Sequence, residues 1–157
     1  MADQELMSIK LDPNSVVDKK FLGIPYELGK RGFDGADCIG VAILWLADQG
    51  IQYEYDDSQG PVMAHWWEHN PKRFLDAFLS LGSIIRWPEL KKYDCLLLLG
   101  DEVSSYPSCM GIMVDDRHFL TSLKDGGSFV SMLSLDWKQK FWSAIRLRKI
   151  EESISAR

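Results

Sequence analysis

Three cysteines, Cys38, Cys95 and Cys109, and three histidines, His65, His69 and His118, are the side chains of this sequence best suited to act as nucleophile, base or metal ligand near neutral pH. Cys38 is the most informative of them. It follows Gly35-Ala36-Asp37 and falls in the first turn of a helix predicted over the apolar run from Asp37 to Gln49. A helix N-terminus carries about half a positive charge, which favours thiolate over thiol. Its free N–H groups could also bind an oxyanion. The chemistry on offer is nucleophilic attack on a carbonyl. The plainer alternative is an inert cysteine heading a core helix, because free Cys is commonly buried. Position alone leaves both open.

The other spacings say less. An odd number of cysteines argues against a disulfide framework, no Cys-x-x-Cys pair exists, and separations of 57 and 14 residues match no common zinc module. His65 and His69 stand at i, i+4 and would share a face of a helix. No Cys, Asp or Glu completes an obvious metal site with them. His65-Trp-Trp-Glu-His69 also lacks the glutamate directly after the first histidine that a zinc-peptidase helix requires. Surface or packing roles are expected for both, with no metal and no cofactor. Trp66-Trp67 could stack on carbohydrate or dock a protein, although packing is the commoner use of such pairs.

The elements that must position Cys38 follow from punctuation and periodicity. Residues 1–20 are polar and mixed, an N-terminal arm with a short helix expected near Ser15 to Phe21. Pro25 and the glycines at 23, 29, 32 and 35 mark a loop-rich stretch. The helix from Asp37 to Gln49 is apolar on nearly every side, hence buried, and stops at Gly50. An acidic loop spans 52–60. A second helical region, interrupted at Pro71, carries Phe74, Leu75, Phe78 and Leu79 as an amphipathic stripe and ends at Gly82. Strands are expected at Cys95–Leu99, Met110–Val114, His118–Leu123, Ser128–Leu133 and Phe141–Leu147, with Gly- and Asp-rich turns between several of them. Helices first and strands afterwards predict an α+β domain, with the buried helix lying on an antiparallel sheet. Lys138 to Lys149 holds five basic residues and no acidic one, read as an alternating exposed strand face. Residues 151–157 read as a frayed tail.

The chain has 157 residues, enough for one domain with a real core. Apolar residues make up 46% and charged residues 26%, which argues against disorder. A formal net charge of −5 makes it a poor candidate for gripping nucleic acid backbones. No apolar run approaches the roughly 20 residues of a membrane span. The acidic start Met-Ala-Asp-Gln-Glu is not that of a signal peptide.

A resemblance adds to this reading. Pro25-Tyr26, Gly29 and Asp37-Cys38-Ile39-Gly40 resemble the opening of the NlpC-like cell-wall cysteine peptidases, papain-like enzymes that cut stem peptides of peptidoglycan. The family opening reads roughly Pro-Tyr-x-x-Gly-Gly, a loop, then Asp-Cys-Ser-Gly at the head of a buried helix. Here Lys30 replaces the second glycine and Ile39 the serine. Tyr93-Asp94-Cys95 is similar to the family's Gly-Asp-hydrophobic strand, and the stretch from Cys109 to Ser122 is similar to its His-x-Gly-Ile hairpin. Trp137 and the strand Phe141–Arg146 resemble the ending of the bacteriophage tail-assembly branch. The likeness covers about residues 20–148. It implies a papain-like NlpC-type fold in a single domain over 21–150, a buried helix carrying Cys38, and an antiparallel sheet of five to six strands.

The resemblance also carries roles, and it breaks where catalysis needs it most. Cys38 matches the nucleophile, and Tyr26 and Asp37 fall on the substrate side, as substrate-binding residues. The family's histidine base falls on Cys109 and its third polar group on Thr121. A thiol cannot do imidazole's work at neutral pH, and a general acid–base group contributes roughly 10²–10⁴ in rate. His118 lies three residues before Thr121, so strand alternation puts it on the opposite face. Cys38 and Cys109 would face one another. A disulfide between them needs Cα atoms within about 7 Å, and a spacing that accommodates an imidazole makes bridging depend on a shift. What the resemblance implies is a tail-tip or baseplate protein with a degenerate peptidase domain, made in the host cytoplasm and carried in the virion. Its partners would be other tail proteins, with peptidoglycan a further one. The alternatives are an active stem-peptide hydrolase using Cys38, or an acyl-transfer or amide-cleaving protein sharing only the fold.

Overall fold

The computed structural model describes residues 16–62, 66–100 and 105–156, apart from the side chains of residues 67, 135 and 136. Phe21, with no exposed surface, closes a single turn of 3-10 helix at Lys19–Phe21, held by Asp18, whose carboxylate accepts the Lys20 N–H at 3.0 Å. The helix expected near Ser15 to Phe21 is reduced to that turn over the described residues, and Ser15 lies outside them. A small hairpin follows, pairing β1 (Arg31–Gly32) with β2 (Gly35–Ala36), which the glycine-rich sequence concealed.

The buried helix α1 runs from Cys38 to Asp48, capped by Asp37 and stopped by Gly50 at φ 82°. Its buried residues include Val41, Ala42, Trp45 and Leu46, of which Val41 and Leu46 each add roughly 1.5–3 kcal/mol by their full burial. Gly40 has a packing reason to lack a side chain: a Cβ there would sit 2.3 Å from the backbone oxygen of Lys30. Beyond the irregular segment 51–62 come the single turn α2 (Trp66–His69) and the helix α3 (Arg73–Leu81), separated near Pro71. Phe74, Leu75 and Phe78 of α3 are buried as its stripe predicts, whereas Leu79 is 39% exposed. Gly82 does end this helix, and it also opens a strand, β3 (Gly82–Ile85), that four residues at a sheet edge did not announce in the sequence.

The second half supplies the rest of the sheet: β4 (Cys95–Leu98), β5 (Cys109–Met113), β6 (His118–Leu123), β7 (Gly127–Met132) and β8 (Phe141–Leu147). All pair antiparallel in the order β3-β8-β4-β5-β6-β7. The short turn α4 (Leu135–Lys138) precedes β8 and brings Trp137 edge-on against Phe119 at 4.9 Å between ring centres. Helix α1 lies against β5 and β6. This is the α+β architecture expected, with six strands.

Two expectations need correction. The tail expected over 151–157 is not frayed over its described residues: Arg148–Ser155 form α5, which buries Ile150. The basic run from Lys138 is not one exposed strand face either. It crosses α4, β8 and the start of α5, and Arg146 turns back to a buried carboxylate, Asp94, with both nitrogen–oxygen distances 2.9 Å. Preceding that aspartate, Tyr93 adopts φ 79°, a conformation that suits glycine. Its ring packs on Trp45 at 5.4 Å, and its hydroxyl reaches Gln49 Oε1 at 3.2 Å.

Candidate active site

Asp37 is where the site is built. One carboxylate oxygen accepts the Gly40 N–H at 2.8 Å and caps α1; the other accepts the Gly29 N–H at 2.8 Å. The same side chain therefore fixes the helix head and the glycine turn that precedes it. The Ala36 N–H donates to the Pro25 carbonyl at 3.0 Å, and the Glu27 N–H donates to the Ala36 carbonyl at 3.3 Å. These bonds lay Tyr26 beside the helix N-terminus. Asp37, singled out for the substrate side, is thus occupied with backbone donors, although it also borders the pocket described below.

Cys38 occupies the first helical position and is buried. Its sulfur accepts the Met110 N–H at 3.4 Å, and its thiol is hydrogen-bonded to that of Cys109. The Cys109 sulfur lies 3.6 Å from Thr121 Oγ1, whose hydroxyl donates to the Met110 carbonyl at 2.7 Å. The register of β5 and β6 explains the meeting. Ile112 faces Leu120 and Met113 faces Phe119, so alternation puts Cys109 and Thr121 on one face. Cys38, Cys109 and Thr121 therefore stand in a row, each touching the next, in the order that nucleophile, base and orienting group would take. None of the three cysteines is joined in a disulfide.

The electrostatics oppose activation. The Cys109 thiol, burial, and the Asp37 carboxylate push the Cys38 thiol well above its ordinary range, and the Met110 N–H, which favours thiolate, does not offset them. Of the two readings that position left open for Cys38, the buried, neutral thiol is the one that fits. A helix end is worth about 0.3–1 kcal/mol at a surface, too little against desolvation of a buried charge.

No histidine borders the pocket among the described residues. His118 is turned to the other face of β6, where Nδ1 meets the Asp115 carboxylate at 2.9 Å. His69 is exposed at the end of α2, and His65 lies outside the described residues. Among the described residues no group of three or more His, Cys, Asp or Glu is arranged to hold a metal.

Cys38 opens on one side into a pocket of about 200 Å³. Tyr26 and Leu28 line it from the loop before α1, Ile39 from α1, and Tyr55, Asp57 and Val62 from the irregular segment. Trp66, Arg73 and Phe74 close the far wall, with Ser108 and Lys124 at the sheet side. Cys109 and Thr121 lie behind Cys38 rather than on this wall. Trp66 stacks on Phe74 at 6.3 Å, so this half of the tryptophan pair packs while bordering the pocket; the Trp67 side chain is outside the described set.

Sequence reasoning missed the pocket's charged wall. Arg73 clasps Asp57 through Nε and Nη2, with only 12% and 9% of the two side chains exposed, and Nη2 also donates to the Gly60 carbonyl. The guanidinium holds the Asp57 carboxyl below its usual range. This clasp fastens residues 57–60 to the head of α3. A separation of 16 residues carries no periodic signal, and an acidic loop reads as solvated; nothing in the sequence marked the pair.

No family model matches the chain, and no curated protein matches it. Solved structures do. An NLP/P60-family protein similar to a lipoprotein, from Staphylococcus aureus subsp. aureus Mu50, aligns with a TM-score of 0.53 and 18% identity over 86% of this chain and 41% of that one. An NlpC/P60 family protein from Bacillus cereus ATCC 10987 gives 0.54 and 18% over 87% and 40%. The NlpC/p60 domain of the peptidoglycan hydrolase SagA gives 0.52 and 16% over 87% and 99%. This chain thus spans about two-fifths of the first two proteins and nearly all of the third domain. At these identities the likeness establishes the fold, which is of the NlpC/P60 type.

Proposed function

We propose that this chain is a bacteriophage tail-tip or baseplate hub assembly protein whose NlpC-like domain is catalytically weak or inactive and serves through its shape and its pocket. The observation that carries the reading is the row Cys38–Cys109–Thr121: a thiol stands where an imidazole would be needed, and Cys38 is held neutral. The tail assignment draws on the sequence resemblance of the closing strand and Trp137 to the tail-assembly branch. In this role the protein is made in the host cytoplasm, packs among tail proteins at the end that meets the cell wall, and its pocket contacts peptidoglycan.

A second reading has one observation in its favour. Cys38 borders an open pocket alongside Tyr26, as an active stem-peptide hydrolase would need. Digestion of purified peptidoglycan and small muropeptides by the wild type and by Cys38→Ala, read by mass spectrometry, separates the two. Cleavage by the wild type and its loss in the variant establish the hydrolase. Intact muropeptides with both folded proteins, together with the chain's presence in tail fractions of purified virions, support the assembly role. Its absence from virions overturns that role.

A further inference from the structure

Cys38 and Cys109 face each other, thiol hydrogen-bonded to thiol. Each is the first residue of its element, Cys38 of α1 and Cys109 of β5, and the Met110 N–H bonded to the Cys38 sulfur at 3.4 Å ties the two elements together at that point. Cys38 borders the pocket, and Cys109 lies directly behind it. Cys95 is remote from this arrangement, fully buried in the middle of the sheet. A small oxidant entering the pocket therefore meets one sulfur first, with a second in contact to complete the reaction.

We propose that Cys38 and Cys109 form an oxidation site that a peroxide converts into an intramolecular disulfide. The Cys38 thiolate attacks one peroxide oxygen, the O–O bond breaks, and the pair becomes a sulfenic acid on Cys38 plus water. The Cys109 thiolate then attacks the Cys38 sulfur, the S–O bond breaks, and hydroxide leaves as a second water. Two thiols lose two electrons and two protons, and one peroxide becomes two waters. Closing the S–S bond to about 2.05 Å draws the head of β5 toward the head of α1. The bond removes the pocket's nucleophile and staples helix to sheet. Nothing in this step depends on the cell-wall reading, and its test involves no peptidoglycan.

The test uses reduced wild-type protein, freed of reductant and exposed while folded to excess hydrogen peroxide for hours at about pH 8.5, where the small thiolate fraction of Cys38 is larger than at neutral pH. The protein is then unfolded, alkylated with iodoacetamide and weighed. The number of alkylated thiols should fall from the three present in the sequence to one. Digestion should give a Cys38–Cys109 linked peptide that dithiothreitol splits, with Cys95 carrying the label. In Cys109→Ser, oxidised Cys38 should persist as the sulfenic acid and take up dimedone. The proposal is overturned if three thiols remain alkylated, if the only disulfide joins two molecules, or if Cys38 proceeds to sulfinic acid while Cys109 stays alkylated. The wild-type peptide map decides the matter whether or not Cys109→Ser folds.

Discussion

Replacing Cys109 by histidine should return an imidazole to the position that faces Cys38, and its effect can be worked out in advance. In the wild type the Cys38 thiol titrates well above its ordinary value of about 8.5. At pH 6 its thiolate fraction is therefore well under about 1%. A Cys–His pair at a helix head brings a thiol down to roughly 3.5–7.5. Thr121 is placed to orient the ring: its hydroxyl donates to the Met110 carbonyl, which leaves oxygen lone pairs for an imidazole N–H. At pH 6 the thiolate fraction should rise by about 10²–10³, of which a weaker intrinsic nucleophilicity returns about one order. Iodoacetamide should then alkylate Cys38, followed by the mass of its peptide in a Cys95→Ala background, roughly ten times faster or more at that pH. The inflection of rate against pH should move from above about 8.5 to below about 7.5. The larger side chain overpacks a buried site at a cost of about 1–3 kcal/mol, so folding is checked by circular dichroism. A folded variant whose inflection stays above about 8.5 would falsify the placement of position 109 opposite Cys38.

Alkaline pH should destabilise the fold through groups held neutral in it, Cys38 by its hydrogen bond to Cys109 and by burial, the others by burial. Cys38, Cys95 and Tyr55 are pushed up, and Tyr53 is pushed up to about 12. Because the folded values exceed the unfolded ones, their stability is complete below the unfolded values and is lost as pH rises from about 8.5 for the thiols and about 10 for the tyrosines. Urea midpoints at pH 7, 9 and 11 should fall in sequence, less steeply in Cys95→Ala, and a flat series would refute the assignment. Asp37→Ala should cost about 2–3 kcal/mol in urea unfolding, by losing the helix cap and orphaning the Gly29 N–H, and a loss under about 0.5 kcal/mol would contradict the geometry. Arg73→Met strands the Asp57 carboxylate and should cost about 3 kcal/mol, with early proteolysis within 57–62. Adding Asp57→Asn should recover part of the loss, and failure to do so would show the pair is not coupled.

What could be read in advance divides along a physical line. Helix α1 and the strands β4 to β8 are written in local pattern, since periodicity and turn residues act over a few positions. Cys38, Cys109 and Thr121 were legible as a group only because the two halves of the motif resemble a family in register, and the fold then brings them into contact. Strand β3 escaped because four edge residues cannot set a period. The Arg73–Asp57 clasp escaped because its partners meet only in three dimensions. Helix α5 was read as a tail because its charges outnumber its apolar residues, although Ile150 is enough to seat it. The ionisation of Cys38 stayed open for a different reason: the sequence showed both a helix end and a buried helix, and only the surroundings of the sulfur weigh one against the other.

That balance bears on how much of a cysteine peptidase resides in its scaffold. The helix head, the Met110 N–H and the pocket wall are all in place around Cys38, and the thiol is neutral nonetheless. A helix end contributes up to about 2 kcal/mol in a favourable buried geometry, equivalent to no more than about 1.5 pKa units. Burying a thiolate without a counter-charge opposes this, and burial alone can move a pKa by up to about 3–5 units. The scaffold therefore positions the sulfur and leaves its charge to whatever stands at position 109. With histidine there, burial would strengthen an ion pair; with cysteine there, the same burial strengthens a hydrogen bond between two neutral thiols. One substitution thus reverses the sign of the environment without disturbing the fold that created it, which is why a likeness in fold carries no statement about catalysis for this chain.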